Sequence, residues 1–114
     1  MADYLVLNLD VADPDVQQAF WCAALHYDHV GGVGQYRALQ DPTGKGPKLL
    51  LQQVPEAKTA KNRLHLDIHV ADPDAEADRL EAAGAARVRR VEEFGIFWIV
   101  MTDPEGNEFC VVPS

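Results

Sequence analysis

Residues 66–74, Leu66-Asp67-Ile68-His69-Val70-Ala71-Asp72-Pro73-Asp74, decide the fold, because residues 7–15, Leu-Asn-Leu-Asp-Val-Ala-Asp-Pro-Asp, resemble them closely. A second marker recurs in the same order at nearly the same spacing, as Asp41-Pro42-Thr43-Gly44 and as Asp103-Pro104-Glu105-Gly106. Self-similarity at a long period is typical of duplicated supersecondary units. The two markers together indicate that the chain contains two copies of one unit.

Each copy begins with residues that predict a strand followed by a helix. Apolar and polar side chains alternate up to an aspartate, Asp13 or Asp72, which is a favoured helix N-cap, and the proline after it is preset for the first helical position. In the second helix Ala77, Leu80 and Ala83 share a face, and Gly84 is placed to close the helix. In the first helix we expect the buried face to consist of Val16, Ala19, Phe20, Ala23 and Tyr27.

Three strands are expected after each helix. In the first copy they lie near 30–33, 36–40 and 48–54, and in the second near 87–94, 97–102 and 108–112. The Asp-Pro-x-Gly segments have the composition of tight turns. We therefore predict an α+β fold of two βαβββ modules in one domain over 1–114, with module one at 1–55, a polar linker at 56–62 and module two at 63–114.

Composition excludes several classes of function. The 114 residues are 47% hydrophobic, which is ordinary for a globular protein, and the net charge of −8 disfavours nucleic acid and anionic membranes as partners. The N-terminus predicts neither a signal peptide nor a membrane span. Two cysteines, Cys22 and Cys110, are too few for a secreted disulfide framework. We expect a cytoplasmic protein.

With this element order, the chain resembles the glyoxalase-like proteins of the vicinal oxygen chelate superfamily, also called the glyoxalase/bleomycin resistance/dioxygenase superfamily. The resemblance is carried by the segments Phe20-Trp21, Val54 to Lys58, Lys61 to Asp67 and Asp103 to Val111. It implies that the two modules form an open, curled sheet around a cavity that binds a small-molecule ligand. It also implies a homodimer.

The resemblance further implies where metal ligands would stand in metal-using members. The position on the first strand of module two is His65, and its counterpart in module one is Val6. The carboxylate on the last strand is replaced by Cys110. Because a stable site needs three or four donors from the protein, we expect no metal and no cofactor.

Strand alternation places His65, Asp67 and His69 on one face, which the resemblance turns toward the cavity. We assign catalytic roles to His65 and Asp67, since a carboxylate close to a histidine can orient it for acid–base chemistry. Cys110 would be a nucleophile if His65 lowered its pKa. Lys58, Lys61 and Arg63 are interpreted as a solvated linker in preference to an anion site. The expected ligand-binding residues are Asn8, Asp10, Gln52, His69, Trp98, Glu108 and Cys110.

Three functions remain open at this point. The first is a metal-independent enzyme, of the lyase or isomerase type, that uses His65 as base. The second is sequestration of a cationic drug or metabolite without turnover, as in the bleomycin-resistance proteins that share the fold. The third is a structural or regulatory module with a vestigial cavity. The sequence identifies no substrate, and it leaves open whether there is any turnover.

Overall fold

A computed structural model describes residues 2–114 of the chain, which divides into two compact units, Met1–Ala57 and Lys58–Ser114. Each unit has the element order βαβββ. In the first unit the elements are β1 (Val6–Val11), α1 (Pro14–Leu25), β2 (Asp28–Val33), β3 (Tyr36–Gln40) and β4 (Lys48–Gln53). In the second they are β5 (Asp67–Val70), α2 (Pro73–Ala82), β6 (Ala86–Glu93), β7 (Ile96–Thr102) and β8 (Glu108–Pro113). The predicted α+β fold of two βαβββ modules is confirmed.

Each unit forms one mixed four-stranded sheet. The strand order is β1-β4-β3-β2 in the first unit and β5-β8-β7-β6 in the second. In both sheets the first strand of the unit pairs in parallel with the last, and the other pairings are antiparallel. The helix therefore connects the first strand to the far edge of its own sheet, and the chain returns strand by strand.

The helices begin where the sequence predicts. The Asp13 carboxylate accepts hydrogen bonds from the backbone N–H groups of Asp15 and Val16 at 3.1 and 3.2 Å. The Asp72 carboxylate accepts one from Ala75 at 3.1 Å. Each cap satisfies donors that have no partner within the helix, and the proline that follows it has no donor to satisfy.

The buried face of α1 differs from the prediction. Of the five residues expected there only Phe20 is buried, whereas Val16 is 45% exposed. The buried residues are Gln17, Phe20, Trp21 and Ala24. The rings of Phe20 and Trp21 meet edge to face with centroids 5.1 Å apart. Tyr27 lies beyond the end of the helix, and burying the Trp21 ring removes more apolar area from water than burying valine or alanine does, so the side with Phe20 and Trp21 is the buried one. In α2, Ala77 and Leu80 are fully buried, as predicted.

The two Asp-Pro-x-Gly segments are turns closed by their aspartates. Asp41 accepts hydrogen bonds from the backbone and hydroxyl of Thr43 and from the Gly46 N–H, each at 2.8 Å. Asp103 accepts from the Glu105 N–H and from both the backbone and the side-chain amide of Asn107, at 2.9 to 3.0 Å. The carboxylate takes the place of a backbone acceptor in a loop that has no sheet partner.

Neither helix in the described part of the chain has both the length and the apolar character that a membrane crossing requires.

Candidate functional site

A cavity of about 580 Å³ lies on one face of the second sheet. That volume is in the range of small-molecule sites. All of its lining residues belong to the second unit: Lys61, His65, Asp67, Val88, Arg89, Ile96, Trp98, Val100, Thr102, Glu108, Cys110 and Val112.

Side chains alternate between the two faces of β7 and β8, and this alternation determines which of their residues line the cavity. On β8 the side chains of Glu108, Cys110 and Val112 line the cavity, while Phe109 and Val111 are buried outside the cavity lining. On β7 Trp98 lines the cavity, and its neighbour Phe97 instead has the Arg90 guanidinium stacked on its ring at 3.8 Å. Alternation admits one of two adjacent residues to a face, and here that residue is Trp98.

One row of directly opposed residues crosses the whole cavity floor. Asp67 on β5 is opposite Cys110 on β8, Cys110 is opposite Val100 on β7, and Val100 is opposite Arg89 on β6. Neighbouring strands are about 4.8 Å apart, so the ends of the row are separated by about 14 Å. The row places a carboxylate at one end and a guanidinium at the other.

A β-bulge brings Arg89 to this row. The pairing of β6 with β7 shifts between Arg87 and Arg89, which leaves Val88 as an extra residue. In a regular strand Val88 and Arg89 would point to opposite faces, but here both line the cavity. Bulges commonly re-aim side chains beside functional sites.

His65 and Asp67 form the polar pair that the sequence predicts. The Nε2 atom of His65 lies 3.4 Å from Oδ1 of Asp67, and the two side chains are 45% and 50% exposed. His65 precedes β5, and Asp67 is its first residue. A ligand in the cavity can therefore reach the imidazole while the carboxylate stays beside it.

Cys110 is buried, and its environment is the opposite of that of a nucleophilic thiolate. Burial raises the pKa of the Cys110 thiol, and the charge of Asp67 and a hydrogen bond to it raise the pKa further. Arg89 and Lys61 act in the other direction and are outweighed. The condition under which Cys110 would be a nucleophile, a pKa lowered by His65, is not met.

His65, Asp67 and Cys110 each offer one ligand atom, and these atoms lie within 4.8 Å of one another. The resemblance offered one imidazole and one thiol as possible ligands, and strand geometry allowed His65 and Asp67 to share an ion if another element completed the shell. Imidazole, thiolate and carboxylate are all zinc ligands, whereas the thiolate does not suit manganese or magnesium. The donor set thus fits a zinc-like ion with an open coordination position.

Glu108 lines the cavity, but both of its oxygens already have partners. Oε1 lies 3.0 Å from Nζ of Lys58, and Oε2 accepts the backbone N–H of Asn62 at 2.9 Å. The Asn62 hydrogen bond and the Lys58 ammonium hold the pKa of Glu108 below its usual value, against a smaller opposing effect of burial. The carboxylate therefore fastens residues 58–62 to the second sheet.

The remaining expected binding residues lie outside this lining. His69 is exposed, and its Nδ1 atom is 3.2 Å from the carbonyl oxygen of Pro113. Asn8, Asp10 and Gln52 belong to the first unit, where the Asn8 side-chain amide donates to Oε1 of Gln52 at 3.2 Å and Asp10 is exposed. Their part in ligand binding stays a prediction.

Sequence reasoning did not assign the basic residues of the cavity to it. For Lys61 it preferred a solvated linker to an anion site, yet Lys61 lines the cavity while Lys58 pairs with Glu108. Arg89 was not singled out, because the run Arg87-Val88-Arg89-Arg90 resembles an exposed strand. A bulge has no dependable sequence signal here, so alternation alone could not assign Arg89 to a face.

Comparison with known proteins was made on the whole chain. A family model described as a glyoxalase-like domain matches residues 6–112. The chain belongs to this family. No curated protein shows significant similarity to this member of the glyoxalase-like family.

Solved structures share the fold of this glyoxalase-like protein. A glyoxalase/bleomycin resistance protein/dioxygenase family enzyme from Burkholderia phytofirmans has a TM-score of 0.81 at 18% identity, covering 98% of both chains. The hypothetical protein SA1046 from S. aureus has a TM-score of 0.79 at 17% identity, covering 100% of this chain and 95% of that one. The fosfomycin resistance protein FosX from Listeria monocytogenes has a TM-score of 0.81 at 12% identity, covering 100% and 94%. Similarity at this level of identity shows the fold alone.

Proposed function

We propose that the cavity of the second unit binds a small molecule and that His65, oriented by Asp67, exchanges a proton with it without the help of a metal. The observation that carries the proposal is the contact of 3.4 Å between His65 and Asp67 at the edge of a cavity with an apolar wall. Imidazole exchanges protons near neutral pH, so it serves as base or acid in enzymes of many classes.

Each residue has a separate part in this chemistry. His65 takes a proton from a carbon or oxygen atom of the ligand. Returning it to another atom of the same molecule completes an isomerisation, and giving it to a leaving group as the bond to that group breaks and a double bond forms completes an elimination. Asp67 stabilises the imidazolium that exists between the two transfers. Trp98, Val100 and Val112 hold the apolar part of the ligand and exclude water from it.

The test is a thermal-shift screen of metabolites, followed by turnover assays on each compound that binds. We expect His65→Gln to abolish turnover and leave binding within about threefold, and Asp67→Asn to reduce turnover. His29→Gln is the matched control, because His29 is an exposed histidine of the first unit and outside the cavity lining. Turnover that survives His65→Gln would refute the role of His65 as base.

The three-donor cluster favours a second candidate, a metal-assisted reaction in the same cavity. His65, Asp67 and Cys110 would hold a zinc-like ion, and a bound ion would supply Lewis-acid chemistry. Elemental analysis of the purified protein distinguishes the two candidates. One equivalent of zinc that is lost on Cys110→Ser would replace the metal-independent proposal; a metal-free protein with turnover unchanged by EDTA supports it.

Sequestration without turnover would use the same cavity. Saturable binding of a compound that His65→Gln leaves unchanged, with no product formed, supports sequestration and counts against catalysis. For this function the sequence predicts a cationic ligand, because the chain carries a net charge of −8.

We further propose that the protein acts in the cytoplasm as a homodimer. Closed two-fold symmetry is the commonest form of soluble oligomer. Sedimentation velocity over a hundredfold range of concentration tests the dimer: a single species of monomer mass throughout would exclude it.

A further inference from the structure

Two basic side chains line the cavity without an ion-pair partner. Within residues 2–114 neither Lys61 nor Arg89 has a carboxylate within 4.0 Å. Four other lysines and arginines of the second unit do form ion pairs: Lys58 with Glu108, Arg79 with Glu76, Arg87 with Asp78 and Glu81, and Arg90 with Asp74 and Glu92. Among the described residues of this unit, the exposed Arg63 also has no carboxylate partner, so Lys61 and Arg89 are distinguished by their place in the cavity lining.

The carboxylates of the cavity do not neutralise these cations. Glu108 is bound by Lys58 and by the Asn62 N–H. Asp67 contacts His65 and stands opposite Cys110, about 14 Å across the sheet from the strand that carries Arg89. The charge left uncompensated beside Arg89 is therefore positive, although the chain as a whole is acidic.

The cavity wall between these charges is apolar. Val88, Ile96, Trp98, Val100 and Val112 supply it, from three adjacent strands. Val88 and Ile96 are 51% and 54% exposed, which leaves apolar surface in contact with solvent beside the unpaired cations. An occupant that covers the wall would remove its apolar surface from water, and a negative group on that occupant would form charge-assisted hydrogen bonds with the cations.

We propose that this cavity takes an amphipathic anion, whose apolar body packs on Trp98, Val100 and Val112 and whose carboxylate- or sulfonate-type group is attracted by the positive charges of Lys61 and Arg89. The proposal rests on the proposed small-molecule function and names the class of ligand. Arg89 presents a planar fork of donors that matches such an anion, and Lys61 adds a second charge from the segment that Glu108 fastens.

The test compares two fluorescent probes that share an apolar body. Anilinonaphthalene-1-sulfonate carries one negative charge, and N-phenyl-1-naphthylamine is the same molecule without the sulfonate. We expect the sulfonate to bind at least tenfold more tightly than the neutral probe at low salt, and this advantage to fall as sodium chloride is raised from 20 to 500 mM.

Four variants assign the preference to its residues. Lys61→Gln and Arg89→Gln together should weaken binding of the sulfonate by about tenfold or more and leave the neutral probe within twofold. Arg63→Gln is the matched control for Lys61→Gln alone, since each removes one positive charge and Arg63 is two residues from Lys61 at a position outside the cavity lining. Trp98→Ala should weaken both probes, because it removes the shared apolar wall.

The possible results distinguish a failure of the anion preference from a failure of the proposed small-molecule binding. Neutral and anionic probes that bind equally, with Trp98→Ala weakening both, would overturn the anion preference and leave the binding cavity standing. A sulfonate affinity reduced as much by Arg63→Gln as by Lys61→Gln alone would also overturn it, because the effect would then be one of net charge. Failure of both probes to bind, or binding insensitive to Trp98→Ala, would count against the cavity itself.

Discussion

Asp67 and Cys110 lie directly opposite one another in the parallel pairing of β5 with β8. A carboxylate beside a buried thiol favours the protonated form of the thiol, and burial acts in the same direction with greater effect. The pair therefore keeps the thiol of the cavity floor protonated and unreactive near neutral pH in the absence of a bound metal.

Removing the charge of Asp67 should make Cys110 more reactive. In a Cys22→Ser background, treated with EDTA, we expect Asp67→Asn to increase the rate of alkylation by iodoacetamide at pH 8 several-fold, because the thiol pKa falls. Mass spectrometry of the modified peptide measures the rate. Asp10→Asn, the same change in the first unit, should leave it unaltered; an unchanged or slower rate in Asp67→Asn would contradict the prediction.

Glu108→Gln should lower the free energy of unfolding at neutral pH by about 1–2 kcal/mol, since it breaks a charge-assisted hydrogen bond and an ion pair. The pKa of Glu108 is lowered in the folded protein. The stability it contributes is therefore fully present above the pKa of the unfolded chain, and it is lost as the pH falls through the folded value.

Urea denaturation of the wild type and of Glu108→Gln from pH 7 down to pH 3 measures this difference. We expect the gap to be constant at neutral pH and to narrow in the acid range. Lys58→Met should reproduce part of the loss at pH 7. A gap that widens as the pH falls would show that the carboxylate does not stabilise the fold in its charged form.

Asp103→Ala should be more destabilising than Asp41→Ala, although the two residues close equivalent turns. Asp103 is 3% exposed and accepts hydrogen bonds from both the backbone and the side chain of Asn107, which is itself buried. Its removal leaves buried donors without an acceptor, at a cost of about 2–3 kcal/mol. Asp41 is less buried, and water can replace its carboxylate. Thermal unfolding of both variants gives the order; equal losses would contradict it.

Phe94→Asn should stabilise the protein. Phe94 and Gly95 join β6 to β7 as a two-residue turn with positive φ values of 56° and 76°, and the Phe94 side chain is 95% exposed. Asparagine adopts positive φ more readily than phenylalanine, so the change should add about 1 kcal/mol to the free energy of unfolding. Phe94→Ala, which keeps an unfavourable residue type at this φ, should add less. A loss of stability in Phe94→Asn would indicate that the exposed ring has a partner.

The sequence predicts best those features that depend on neighbouring residues. The caps at Asp13 and Asp72, the turns at Asp41 and Asp103 and the repeated element order all follow from short segments. Trp98 reaches the cavity because alternation holds along β7. In a cap or a turn the hydrogen-bond donor and acceptor are within a few residues of each other in the chain, and strand alternation relates adjacent residues, so short segments are enough to predict these features.

The features that the sequence does not predict depend on distant residues or on a break in a regular pattern. Which face of α1 is buried depends on how Phe20 and Trp21 pack, and the strands that α1 contacts, β2, β3 and β4, come later in the sequence. The pairing of Lys58 with Glu108 joins residues far apart in sequence. The place of Arg89 follows from a bulge, which inverts the alternation that would otherwise assign its face.

That bulge also shows how the backbones of the two halves differ at equivalent positions. The first sheet has an equivalent bulge between His29 and Gly31, so the position of Arg89 corresponds to Gly31. Gly31 has open space around it but a φ of +146°, which side chains rarely adopt. A substitution alone would therefore not give the first half the cation of the second, because its backbone would have to change as well. The two halves therefore differ at this position in main-chain conformation as well as in side chain.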